Sequence, residues 1–211
     1  MDYIKHRNEL LAGKIIEGIN SRNMTGYYAQ DKEEALKLAL ELIPEGSSIS
    51  MGGSASVNEI GLTTALKTDK YNFVDRNGAK TPQEKRAAEL AAYDVDVFLG
   101  SVNAMTEDGV LINIDGNANR VSAYAYGPRK LVLIVGMNKV AADVDAAMKR
   151  ARNVAAPINT QRFGLKTPCT ANGSCLNCKS PDTICCQFLI TRFSRHKDRI
   201  HIILVNDTLG F

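Results

Sequence analysis

Residues 95–120 read VDVFLGSVNAMTEDGVLINIDGNANR. The stretch opens with an apolar run of strand type, Val95 to Leu99, and breaks at Gly100-Ser101. Thr106, Glu107, Asp108 and Gly109 then precede a second strand, Val110 to Ile114, whose far end carries Asp115, Gly116, Asn117, Asn119 and Arg120. Both strands therefore finish in polar, glycine-containing turns, and open α/β sheets bind their ligands just beyond the carboxyl ends of their strands. Asp-Gly and Asn are also ordinary turn formers, because they reach positive φ and bond their own backbone at little cost. A turn explains the glycines as well as a site does. It explains less well the crowding of Glu107, Asp115, Asn117 and Arg120 into one short span.

Toward the N-terminus, Asp2 to Arg22 places Ile4, Leu11, Ile15 and Ile19 near helical spacing, and Met24 to Gln30 reads as a short extended piece. A second helix runs from Asp31 to Ile43, with Asp31 and Glu34 as a capping-box-like start and Pro44 and Gly46 as its stop. Ser48 to Met51 is a strand running into Gly52, Gly53 and Ser54, and Ala55 to Lys67 follows with a helical stripe of Val57, Ile60, Leu62 and Leu66. A strand, a GGS turn and a helix leave backbone N–H groups facing whatever anion docks there, or else simply make a tight connection. Tyr71 to Val74 is another strand, ending at Asp75-Arg76, and Pro82 to Tyr93 is a helix entered through Thr81.

Toward the C-terminus, Arg120 to Tyr126 makes a helical turn closed by Gly127-Pro128. Lys130 to Val135 is a continuous apolar run of the kind buried on both faces. Gly136 to Lys139 is the third turn at a strand end, and a helix from Ala142 to Ala155 turns Val144, Met148 and Ala151 inward. Gln187 to Phe193 reads as a helix and Ile200 to Val205 as a last strand, which at a sheet edge would pair with a second copy. Strands and helices alternating at this rhythm specify an α/β fold, a mostly parallel sheet with helices on both faces.

A chain of 211 residues with 45% apolar residues suffices for one sizeable core plus a small appendage. The division expected is an α/β domain over residues 1–160 and a cysteine-rich extension over 161–211 packing on it. A net charge of +3 is too small to point to nucleic acid, and the basic run Arg192 to Arg199 has only Phe193 interleaved, so it reads as a solvated surface. No apolar run approaches membrane-spanning length and the start has no signal-type apolar core, so a soluble, cytoplasmic protein is expected.

All five cysteines fall between Cys169 and Cys186. Cys175 and Cys178 form a C-x-x-C knuckle, with Cys169 before it and Cys185-Cys186 after it. Four thiolates in so short a span suit tetrahedral zinc or an iron–sulfur cluster. Disulfides are disfavoured in the cytosol and an odd count leaves one thiol over, so free, redox-reactive thiols are the other reading. Of the adjacent pair, Cys185 is the expected ligand, since neighbouring side chains of an extended chain point oppositely.

The segments Gly52 to Leu62 (GGSASVNEIGL) and Ala104 to Val140, together with the cysteine tail, resemble the LUD-domain family named for lactate utilisation, in its compact cysteine-tailed form. The resemblance implies a fold like those of ribose-5-phosphate isomerase, CoA transferases and folate cyclo-ligases, with a pocket at the strand ends lined by a glycine-rich turn and an acidic residue. By position Gly52, Gly53 and Ser54 match the turn and Glu107 the acid, although neighbouring Asp108 competes for that place. The resemblance further implies a part in lactate or other organic-acid oxidation beside iron–sulfur partner proteins.

In such a pocket Gly53 and Ser54 amides would hold a carboxylate or phosphate, Glu107 would be general acid/base or nucleophile, and Asp115 a second carboxylate. Asn117 and Asn119 would orient hydroxyl or carbonyl groups, and Arg120 or Lys139 would supply counter-charge, unless Lys139 is only an exposed turn residue. The first expectation is an accessory or electron-transfer component that binds a small anion. The others are a free-standing CoA-transferase-like or cyclo-ligase-like enzyme using Glu107 with a structural zinc, and a ligand sensor without chemistry.

Overall fold

Strands dominated by apolar residues pack covered on both faces, and the two longest strands here, Lys130–Gly136 and Ile200–Val205, lie side by side inside one parallel sheet. The structure, a computed structural model, describes residues 2–74 and 78–211. In chain order its elements are α1 (Tyr3–Ser21), β1 (Thr25–Ala29), α2 (Lys32–Glu41), β2 (Ser48–Met51), α3 (Ala55–Glu59), α4 (Leu62–Leu66), β3 (Asn72–Phe73) and α5 (Pro82–Ala91). Then follow β4 (Val97–Gly100), β5 (Ala104–Thr106), β6 (Leu111–Asp115), α6 (Asn119–Ala125), β7 (Lys130–Gly136), β8 (Val140–Ala141), α7 (Val144–Arg150), α8 (Ala156–Arg162), α9 (Pro168–Asn172), β9 (Gln187–Thr191) and β10 (Ile200–Val205).

The large sheet has the order β1-β10-β7-β4-β2-β3, and every pairing in it is parallel. The two-residue period of a strand sends alternate side chains to opposite faces. Leu131, Leu133 and Val135 of β7 therefore pack with Ile15 and Ile19 of α1 and Tyr124 of α6. Val132 and Ile134 pack with Ala35 and Ala39 of α2, Val57 of α3, and Leu62 and Leu66 of α4. A smaller sheet, β8-β5-β6-β9, leans on α7 through Ala104, Ile112, Ile114 and Ala147.

Three expectations change. The helix foreseen over 55–67 is broken into α3 and α4 by Gly61, whose φ of +77° is open to glycine without strain. The helix foreseen to end at Ala155 passes through a π turn at Ala151–Ala155 and continues as α8. The helix foreseen from Gln187 is instead β9, which pairs antiparallel with β6, Phe188 opposite Ile114 and Ile190 opposite Ile112. Aromatic and β-branched residues favour that pleated surface once a partner strand is present. The place of the last strand, which the sequence left open, is interior: β10 lies between β1 and β7 with all six residues buried. Residues 161–211 thus thread through both sheets. The strand end foreseen at Asp75-Arg76 lies outside the described residues. Among the described residues no helix is long and apolar enough to cross a membrane.

Candidate functional site

The ends of β2, β4, β6 and β7 open on one cleft of about 350 Å³. Its floor is set where β4 stops. Tyr124 of α6 accepts a hydrogen bond from Ser101 N (3.1 Å) and donates one to Ser101 O (2.8 Å), so the backbone just past Gly100 is clamped. Gly100 is required there, because a Cβ would overlap the Tyr124 hydroxyl. Ser101 directs its hydroxyl at Lys139, whose Nζ lies 3.0 Å from Ser101 Oγ and 2.9 Å from Ser56 Oγ.

Lys139 is the residue whose surroundings depart furthest from expectation. It sits in the turn after β7, yet it is only 4% exposed, so it is no surface turn lysine. Burial, then the positive field of Arg150, push its ammonium pKa down to about 7; Glu59 opposes this and Arg120 adds to it. Arg150 is itself pinned by two backbone carbonyls, Asn138 O at 2.9 Å and Asn103 O at 2.5 Å.

Asp115 and Arg120 do lie in the cleft wall, where much of their bonding capacity is already used. Asp115 Oδ1 accepts from the amides of Asn117 (3.1 Å) and Ala118 (3.0 Å), and its Oδ2 is 3.2 Å from Arg120 Nε. Arg120 Nη2 also donates to Ile114 O (2.6 Å) and Asn103 Oδ1 (3.1 Å). The stem of Arg120 fills the space a Cβ at Gly52 would need. Asn119 donates to Glu89 (2.8 Å), Asn117 is exposed at the rim, and the Ser54 amide donates to Gly52 O (2.9 Å). The turn carrying Glu107 lies elsewhere. Glu107 is paired with Lys14 of α1 at 2.7 Å and Asp108 with Arg22, while Gly109 abuts Gly18 and Ile19 of the same helix. Neither Glu107 nor Asp108 lines the cleft.

Sequence reasoning passed over Arg162, Ser56, Ser101 and Asn103, all of which line the cleft. Arg162 stacks on Phe163 (4.4 Å) and Phe211 (5.7 Å) and reaches Gly53 O at 3.4 Å. Among the described residues it makes no ion pair. The nearest sequence signal was an arginine on the helix that extends past the π turn, and that helix had been expected to stop earlier.

The cysteine segment forms another wall. Ile184 lines the cleft and Cys186 N donates to Asp115 O (3.1 Å). Cys169 is buried with Thr160 Oγ1 at 3.4 Å and Thr167 Oγ1 at 3.2 Å from its sulfur, and Arg152 Nη2 is 3.7 Å from the sulfur of Cys175. Burial pushes the Cys185 thiol pKa up, and Cys175, Cys169 and Cys178 add to the rise, which places those thiols within electrostatic reach of it. Cys186 is exposed, and all five thiols are free. Among the described residues no three Cys, His, Asp or Glu side chains close to metal-ligand geometry. The donor set itself, four thiols with hydroxyls and a guanidinium at two of the sulfurs, has the composition of a thiolate-held centre.

The crystal structure of a DUF162 family protein from Deinococcus radiodurans is similar to this one, with a TM-score of 0.55 and 12% identity over 94% of this chain and 98% of that one. No curated protein matches the sequence. The family model of the LUD domain matches residues 12–205, from the middle of α1 to the last residue of β10. The chain belongs to the LUD-domain family.

Proposed function

We propose that this LUD-domain protein serves lactate or other organic-acid utilisation by binding a small organic anion, a carboxylate before a phosphate, in the cleft beside its cysteine segment. One observation carries the reading: Arg162 brings a guanidinium into the cleft with no ion pair among the described residues. A cation held between aromatic rings and lacking a counter-ion is chemically matched to an anionic ligand, and its planar fork suits a carboxylate. Gly53 and Asn159 line the same cavity, and the Asp115–Arg120 pair stiffens the opposite wall.

Cys169, Cys175, Cys178 and Cys185 are the residues that would hold a metal centre; a cluster would supply one-electron transfer, zinc a structural staple. Ile184 brings that segment to the cleft lining, and the Cys186–Asp115 bond ties the segment to the cleft wall. An iron–sulfur partner protein belongs to the reading only in the first case. The reading of Glu107 as an acyl acceptor gains nothing from the geometry, since its carboxylate is paired with Lys14 outside the cleft.

The test is thermal stabilisation of the whole chain by lactate, pyruvate, acetate and phosphate. Carboxylates should raise the melting temperature, and Arg162→Gln should weaken their binding by roughly 10-fold or more, the loss of a charge-assisted bond worth about 1.5 kcal/mol. Failure of every one of these anions to stabilise the wild-type chain would sink the reading. Iron, sulfide and zinc analysis of protein purified without oxygen then decides between cluster, staple and free thiols.

A further inference from the structure

We infer that Lys139 is a nucleophilic amine that condenses with the carbonyl of a 2-oxo acid whose carboxylate is held at Arg162. The inference rests on the anion-binding reading of the cleft and adds the reacting group and the class of ligand.

The placement of Lys139 carries it. Among the described residues it is the one buried lysine, and no carboxylate lies within ion-pair distance of its Nζ. By contrast Lys14, Lys32 and Lys70 are at least 40% exposed and face Glu107, Asp207 and Glu45. A lysine that anchors an anion, or stabilises a fold through charge, is normally kept protonated by a carboxylate or by water. Lys139 has neither. It has two serine hydroxyls, at 2.9 and 3.0 Å, and behind them Arg150 fixed on two carbonyls.

Desolvation together with a neighbouring cation is the arrangement that leaves an amine neutral and nucleophilic near pH 7. The groups that act on Lys139 are Arg150 and Arg120, which favour the neutral form, and Glu59, which opposes it; the net effect is a pKa pushed down to about 7. Phosphate is a poor match for such an amine, since a doubly charged ligand would draw the proton back. A ketone is a good match, because it needs the lone pair.

The reaction balances with the groups present. The Lys139 nitrogen lone pair attacks the carbonyl carbon, a C–N bond forms, and the C=O π pair moves to oxygen. A proton passes from nitrogen to that oxygen, with the hydroxyls of Ser56 and Ser101 placed to relay it. A second proton transfer lets the oxygen leave as water and the C=N bond close. One carbonyl and one amine give one imine and one water, with no oxidant or reductant. Every group required lines the same cavity, including Arg162 for the carboxylate.

The experiment is reductive trapping on the full chain at pH 7, with pyruvate and borohydride, read by intact mass and peptide mapping. One reduced adduct per chain at Lys139, lost in Lys139→Met and diminished at least about 10-fold in Arg162→Gln, is the expected result. Propanal with cyanoborohydride, which needs no carboxylate, should label Lys139 at least about 10-fold faster than the surface lysines. If pyruvate stabilises the protein thermally but neither reagent marks Lys139, the amine chemistry is wrong and the anion site survives. If propanal marks Lys139 and lactate or acetate stabilises the chain while pyruvate neither binds nor traps, the 2-oxo acid assignment falls and the anion reading survives. Acylation of Ser56 or Ser101 by p-nitrophenyl acetate that disappears in Lys139→Met, without any trapped imine, would make Lys139 a base for a serine nucleophile and overturn the proposal.

Discussion

Gly100 shows how narrowly the cleft floor is built. Its Cα sits so close to the Tyr124 ring that a methyl group would overlap the hydroxyl and stand 2.8 Å from Cζ. Gly100→Ala should lower stability by about 1–3 kcal/mol, the usual range for overpacking, in urea unfolding followed by circular dichroism. An effect below about 0.5 kcal/mol would mean that Tyr124 can swing aside and that Ser101 is not clamped. At this scale the sequence was partly readable. Asp115, Asn117, Asn119 and Arg120 are adjacent in the chain and carry turn chemistry, so their gathering at one strand end could be foreseen. Ser101 was visible as part of the strand-end turn but carried no sign of its partner Lys139, and Ser56 and Arg162 are ordinary residue types brought in from other segments. Glu107 stood out as an acid in a turn, but nothing in the sequence told that the turn would face Lys14 and the first helix.

Elements decide which of those residues meet. The turn after β7 delivers Lys139, and α7 delivers Arg150 behind it, with the π turn at Ala151–Ala155 leading on to α8 and Arg162. Arg150→Met removes the positive neighbour of Lys139 while keeping an unbranched side chain. The Lys139 pKa should therefore rise, and the pH profile of propanal labelling should move to higher pH. An unmoved profile would leave burial and Arg120 as the causes of the depressed pKa. The cysteine segment gives a second test: Cys175→Ala with Cys178→Ala should lower both bound metal and melting temperature if four thiolates hold a centre. Unchanged values would leave the thiols free. Most strands and helices were legible from period and capping residues, for instance α5, entered through Thr81 and Pro82, where the Thr81 side chain does cap the first turn. β9 was not, since a five-residue apolar segment acquires its strand identity from the β6 edge it pairs with.

At the scale of the whole molecule the sheet order places β10, from the far end of the chain, inside the sheet, and no local pattern announces a long-range partner. The fold class was legible because alternation of strands and helices is local; the second sheet and the position of β10 depend on contacts far apart in sequence. The same fold also holds a lysine where a charge is unfavourable, and stability as a function of pH measures by how much. Lys139 has a pKa near 7 when folded, below the ordinary value of 10.5 of an exposed lysine. Between those two values the unfolded chain binds more protons than the folded one, so this residue's contribution to stability grows as pH rises from 7 to 10.5 and is fully lost below 7. For a shift of this size the penalty is about 5 kcal/mol at low pH and about 4 kcal/mol at pH 7. Lys139→Met escapes it but leaves Ser56 and Ser101 without a donor, at about 1 kcal/mol each. The variant should therefore be more stable than the wild type by about 2 kcal/mol at pH 7, whereas at pH 9.5 the penalty falls to about 1 kcal/mol, below the cost of the lost bonds, and the order should reverse, in urea unfolding at both pH values. His201, whose pKa burial lowers, titrates below its ordinary 6.5 and so lies outside this window. A variant less stable at pH 7, by an amount that does not change with pH, would show that Lys139 is a charged anchor of the fold and that the cleft holds no neutral amine.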